Sequence, residues 1–296
     1  MELKKITKKL DKDFDIAHVQ EEWQWLFDNL FIEKSLPSFR KPMHHTGLVF
    51  KNSDEVNRIY TAFAPSTYVL EQIKKRGVQG SLLVMKHPFD WDGRKTGQGF
   101  IPLSPKDYNL MEEMGISLYS VHTPIDKNRN DEIVSTAYGF ARVIEMKVEE
   151  EFAPEGERNP KQLLGLIGKV KEKRFDHLVQ RLNATLHYKV KTIKKDNEVG
   201  RVAIVTGGGF VPELLQEAKD KGCKTYITGI ITPNSSEYDK KNYPPTLKAA
   251  KRVGINLIGA SHYLTEKWAM EFSVPYFRQF CATEFIEDDS ALKRLE

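Results

Sequence analysis

Four punctuating residues recur along this chain in one order and at nearly one spacing. Pro65, Gly77, Gly115 and His122 in the first half correspond to Pro212, Gly222, Gly254 and His262 in the second, at offsets of 147, 145, 139 and 140 residues. Proline near a helix start and glycine just past a helix end are directional signals, so each half divides into the same strand–helix–strand–helix–strand order. In the first half, residues 57–64 are apolar-rich, Pro65-Ser66-Thr67 starts a helix over 68–76, and Gly77 stops it. The run 81–85 is continuously apolar, as a buried parallel strand requires. A helix over 105–114 ends at Gly115, and a strand over 116–121 follows. The second half has a strand at 202–205, a helix over 213–221 opened by Pro212, a strand at 225–231, a helix over 246–253 and a strand at 255–260. The expected fold class is α/β: two similar α/β lobes from an internal duplication. The two lobes are expected to face each other, with the functional site in the crevice between the strand C-terminal ends.

The expected boundaries are an N-terminal lobe over 1–145, linker and connecting elements over 146–200, and a C-terminal lobe over 201–296. A helix is expected over 17–30, where Val19, Trp23, Leu26 and Phe27 share one stripe. His44-His45-Thr46-Gly47-Leu48-Val49-Phe50 looks like a short strand. The stretch 149–160 is acidic and bears Pro and Gly, which suits a loop or linker. A strand is expected near 190–193, followed by a polar turn over 194–198.

Composition narrows the function classes. No stretch approaches the ~18 consecutive apolar residues of a membrane span, and the charged N-terminus has no apolar core of a secretory signal. No membrane partner and a cytoplasmic location are therefore expected. The net charge of +4 comes from basic residues interleaved with acidic ones, which reads as a solvated surface rather than a nucleic-acid footprint. Cys223 and Cys281 are far apart and lack a CxxC partner, which argues against a disulfide framework or a zinc ribbon.

The chemistry-bearing residues cluster at strand ends. His87 closes the 81–85 strand, and His122 and His262 close the last strand of each half. Each of the latter two is followed four residues later by a carboxylate, Asp126 and Glu266. Three imidazoles and two carboxylates at strand ends suit a divalent metal with mixed N/O ligation, Zn, Fe or Mn rather than Ca or Mg. Taken singly, each has a plainer reading: a hydrogen-bonded core histidine at 87, a first-turn helical glutamate at 266, a helix cap at Asp126, where Pro124 is expected to keep a helix from starting earlier. Gly207-Gly208-Gly209 before a helix could bring backbone N–H groups to an anion, but it lacks the P-loop Gly-Lys-Ser/Thr, and a tight strand–helix turn is the simpler meaning.

Several segments resemble motifs of the NGG-interacting-factor-three-like family, also described as type-two GTP cyclohydrolase I-like. Lys86-His87-Pro88-Phe89-Asp90-Trp91 is similar to its His-His-Pro-x-x-Trp strand end. Residues 122–126 resemble its His-Thr-x-x-Asp, and residues 261–266 its Gly-His-Tyr-x-Thr/Ser-Glu. Thr46-Gly47-Leu48 resembles its Asn-x-Gly-Leu, and 206–209 its Gly-rich turn. The resemblance implies two α/β lobes, a dinuclear metal centre between them and a homohexamer. The chain departs from the pattern at Lys86, where the family has a histidine, at Ile230, where it has a glutamate, and at His45, where it usually has asparagine. These departures leave His87, Asp126, His262 and Glu266 as the metal ligands, with one tight site per chain expected and a second site as the alternative. Lys86 is expected to pair with Asp126 or Glu266 in place of a second cation, or to act as an amine nucleophile. Glu266, Lys86 and His122 are the candidate catalytic residues, His122 either facing the substrate or standing behind the metal ligands. The implied activity is metal-dependent hydrolysis of a small polar or nucleotide-like substrate by metal-bound water; the alternative is a non-catalytic metal-binding scaffold or regulatory interaction protein.

Overall fold

The runs Ser81–Met85 and Ile116–Ser120 are buried at all five positions, as strands with parallel neighbours and helices on a face require. In the computed structural model, described for residues 1–18, 46–91, 100–101, 103–129, 131–154, 163–232, 237–288 and 290–295, these runs are central strands. In chain order the strands are β1 (Gly47–Phe50), β2 (Arg58–Ala62), β3 (Ser81–Met85), β4 (Asp90–Trp91), β5 (Phe100–Ile101), β6 (Ile116–Ser120), β7 (Lys147–Pro154), β8 (Leu163–Lys169), β9 (Lys191–Ile193), β10 (Arg201–Ile204), β11 (Cys223–Thr228), β12 (Asn256–Gly259) and β13 (Thr283–Phe285).

The chain divides into two compact units, each with one main sheet. The first sheet has the order β1-β6-β3-β2-β13. Strands β13, β2, β3 and β6 are parallel, and β1 runs antiparallel beside β6. The second has the order β7-β8-β10-β11-β12-β9. Here β10, β11 and β12 are parallel, and β8 and β9 flank them antiparallel.

The duplication is visible in this topology. Three parallel strands in chain order, β2-β3-β6 and β10-β11-β12, alternate with helices, and each set carries an antiparallel strand beside its last member. The backbone repeats the match at the strand ends: Val121 N–H donates to Met85 O at 2.9 Å, and Ala260 N–H donates to Thr228 O at 2.8 Å. The helix signals act as their chemistry dictates. Ser66 caps Thr67–Arg76 by accepting from Val69 N–H, and Gly77 ends it at φ +67°. Ser104 and Asp107 form a reciprocal capping box on Pro105–Glu113. Pro212 opens the helix Pro212–Asp220.

Other segments differ from expectation. Residues 147–154 form β7 instead of beginning a loop. Its acidic run is a charged edge, with Glu149 paired to Lys169 at 2.8 Å and to Arg201 at 3.0 Å, and Glu150 paired to Lys221 at 3.2 Å. A helix does start before Asp126: His122–Asp126 contains Pro124, which is tolerated because first-turn N–H groups have no intrahelical partner. The helix before β12 begins upstream of 246, spanning Glu237–Val253 with Pro244 and Pro245 inside it. An unanticipated helix, Leu3–Asp13, buries Leu3, Ile6 and Leu10. The helix expected over 17–30 and the segment His44-His45 lie outside the described residues, apart from Ala17 and His18 in a short 3-10 turn. No helix among the described residues is long and apolar enough to cross a membrane.

Candidate metal centre

The repeated histidine has a repeated structural address. His122 is the first residue of the helix after β6, and His262 is the first residue of the helix His262–Phe272 after β12. In both, the acid four residues on lies about one turn along the helix, on the same face as the histidine.

Within the second unit His262 Nε2 lies 3.2 Å from Glu266 Oε2. Glu266 is buried and His262 half-buried. The pair is walled by the turn after β10. A side chain on Gly207, at φ +59°, would overlap the Glu266 carboxylate and come within 2.9 Å of His262 Nε2. One on Gly229 would meet the Gly207 carbonyl at 2.5 Å and His262 Cα at 2.8 Å. The two glycines let the backbone close around the histidine and its carboxylate.

The glycine turn is a structural clamp more than an anion cradle, since two of its N–H groups are committed. Gly207 N–H donates to Thr265 Oγ1 at 3.0 Å and Gly209 N–H to Thr206 O at 3.3 Å. Beneath it the Tyr226 hydroxyl donates to Gly209 O at 2.5 Å. Burial pushes this phenol well above its ordinary value, so it stays a neutral donor. Ser261, immediately before His262, is buried at φ +74°, a conformation that favours glycine. Its hydroxyl accepts from Leu264 N–H at 3.4 Å.

The remaining candidates have defined surroundings. Asp126, half-buried, accepts a hydrogen bond from Thr136 Oγ1 at 2.8 Å. In the first unit, Lys86 and His87 continue β3: their N–H groups donate to Ala62 O at 3.2 Å and Phe63 O at 2.8 Å. Lys86 is 1% and His87 6% exposed. The His87 ring packs 4.7 Å from Phe63 and 4.9 Å from His122, centroid to centroid. Within the second unit, His262 and Glu266 each offer one ligand atom that could hold a metal ion.

Thr206 and Thr265 lie inside the 206–209 turn and the 261–266 motif, which give them no role of their own, and Thr136 lies outside every motif. The signal for Thr136 was local: Ser135 caps the helix Thr136–Val143 by accepting from Tyr138 N–H, a Ser-Thr start that sequence reasoning left unread between the two halves.

The likeness to known proteins spans nearly the whole chain. The GTP cyclohydrolase 1 type 2 homolog from Borreliella burgdorferi is 24% identical over 216 residues, covering 73% of this chain and 76% of that protein. A protein of the same description from Pseudomonas aeruginosa is 20% identical over 242 residues, covering 81% and 86%. The solved structure of protein ybgI, described as of unknown function, shares the fold at a TM-score of 0.71 and 18% identity, covering 97% of this chain and 98% of that one. A family model matches residues 30–287, and the chain belongs to the Duf34/NIF3 (NGG1p interacting factor 3) family.

Proposed function

We propose that this protein is a metal-dependent hydrolase acting on a small polar or nucleotide-like substrate. The observation that carries the reading is the His262–Glu266 pair of the second unit, for which Gly207 leaves room, and His87 is proposed as a further ligand. Two imidazoles and a carboxylate suit Zn, Fe or Mn, and Asp126 is proposed as the fourth ligand. A divalent ion held there supplies Lewis acidity and a nucleophile at neutral pH. Glu266 orients the attacking water and takes its proton at a carboxylate oxygen. His122, against the His87 ring, faces the substrate. Lys86 supplies a fixed positive charge where a second ion would otherwise sit, giving one tight metal per chain.

Elemental analysis of purified protein tests the stoichiometry: one equivalent is expected, and two would overturn the Lys86 assignment. Lys86→His is expected to bind a second equivalent. For activity, the metal-loaded protein is screened against nucleotides and phosphoesters; turnover lost in His262→Ala with the fold intact supports the hydrolase. A second reading, a metal-binding scaffold, is favoured by Lys86 itself, because a buried ammonium beside His87 offers no ligand and no Lewis acidity. Metal binding without turnover on any substrate selects it. The homohexamer implied by resemblance is a further proposal, read from the mass of the purified protein in solution.

A further inference from the structure

Three threonines that none of the metal motifs assigns a role are joined through the glycine turn into one hydrogen-bonded chain. Thr206 Oγ1 lies 2.9 Å from Thr136 Oγ1, which lies 2.8 Å from Asp126 Oδ1. The next residue along, Gly207, donates its N–H to Thr265 Oγ1 at 3.0 Å, and the Thr265 hydroxyl reaches the Ser261 carbonyl at 2.9 Å and the His262 carbonyl at 3.0 Å. Thr136 and Thr265 are fully buried.

The donor inventory fixes the direction of every bond. An ionised carboxylate only accepts, so the Thr136 proton goes to Asp126 and its oxygen takes the proton of Thr206. A backbone N–H only donates, so Thr265 accepts from Gly207 and spends its own proton on the carbonyls at the start of the His262–Phe272 helix. Each hydroxyl thus both donates to and accepts from a neighbour, apart from Thr206, for which only the donated bond enters the chain. The chain runs from Asp126 on one side to the first turn carrying His262 and Glu266 on the other, with the Thr206–Gly207 peptide between.

We propose that this threonine relay is a positioning device for the metal ligands, resting on the metal reading above. Thr136 fixes the rotation of the Asp126 carboxylate. Thr265 holds Gly207 against Glu266 and His262, so the second unit's three candidate ligands are registered to one turn. Hydrogen bonds behind ligating carboxylates and imidazoles set their orientation, and losing one typically weakens metal affinity by roughly 10- to 100-fold.

The test is the Zn2+ affinity of the full chain, measured by chelator competition. Thr136→Val is expected to bind roughly 10- to 100-fold more weakly, and Thr136→Ser, which keeps the hydroxyl, like the unsubstituted protein. In an Asp126→Asn background, Thr136→Val is expected to add no further loss, because the partner it orients is already altered. Equal affinity of Thr136→Val and the unsubstituted chain overturns the relay and leaves the metal reading standing. An undiminished loss in the Asp126→Asn background marks a general structural effect and also overturns it. Failure of the unsubstituted chain to bind Zn2+ overturns the metal reading and the relay together. If Thr136→Val does not fold, Thr206→Val, one bond further back, decides by the same comparison, with a smaller loss that vanishes in Asp126→Asn.

Discussion

A methyl group at Gly207 would occupy the space of the Glu266 carboxylate, in a backbone conformation that L side chains rarely adopt. Gly207→Ala is therefore expected to lose about 2 kcal/mol or more of stability from strain and overlap together, read by chemical denaturation of the metal-free protein, and to weaken metal binding as well. Ser261 poses the opposite case, a side chain where the backbone would favour none, at φ +74°. Its compensation is one long capping hydrogen bond at 3.4 Å. Ser261→Gly should leave the melting temperature unchanged or raise it, whereas Ser261→Val should cost about 2 kcal/mol or more, since β-branched residues are true outliers at positive φ. A loss in Ser261→Gly as large as in Ser261→Val would show that the hydroxyl, not the backbone, governs this position. The cysteines differ more simply. Burial pushes the Cys223 thiol up to about 11, and it is 1% exposed, while Cys281 is partly accessible. A thiol-directed probe at neutral pH should modify Cys281 first and reach Cys223 only on unfolding.

Among the elements, what was legible and what was not follows from where each signal resides. The strand over 81–85 and the helix over 68–76 could be read because burial on both faces and a Ser/Gly pair of caps leave local marks. The edge strand β7 was misread because its evidence is not local: the partners that neutralise Glu149 and Glu150 are Lys169, Arg201 and Lys221, far along the chain. The short helix at 122–126 is not legible from Pro124, which is a barrier in a helix interior but not in the first turn, where it lies. The pairing of His262 with Glu266 is legible from their spacing at a strand end. The threonines behind them are not, since a hydroxyl's role depends on what folding brings opposite it. The edge strand β13 is held beside its neighbours in part by Glu284, which accepts from Arg76 Nε at 3.0 Å. The Arg76 guanidinium holds this carboxyl below its ordinary value of 4.5. A lowered folded value means that the pair's contribution is present above about pH 4.5 and is lost as pH falls through the lower folded value. With Glu284 38% exposed, solvent screening keeps that contribution under about 1 kcal/mol. Glu284→Gln should cost a few tenths of a kcal/mol at pH 7 and nothing at about pH 2, as compared by urea denaturation at the two values.

At the scale of the whole molecule, the metal reading makes stability a function of free metal. An ion that binds only the folded chain adds about 2.7 kcal/mol at a hundredfold excess over its dissociation constant. Adding a chelator should therefore lower the melting temperature of the unsubstituted protein and leave that of His262→Ala unmoved; identical shifts would place the effect elsewhere. The duplication was legible because Pro and Gly mark element ends whatever lies between them. What no spacing disclosed is that the first sheet borrows its last strand from the far end of the chain. β13 pairs parallel with β2, and Ser66, the cap of the first unit's Thr67–Arg76 helix, donates to Asp288 at 2.6 Å. A chain emerging from the ribosome thus cannot finish its first sheet until β13 has been made, while the strands of the second sheet are all available before then. The half translated first is the half completed last, and in the interval the edge of β2 that awaits β13 is an open strand, the moment at which this protein is most exposed to mispairing with its neighbours.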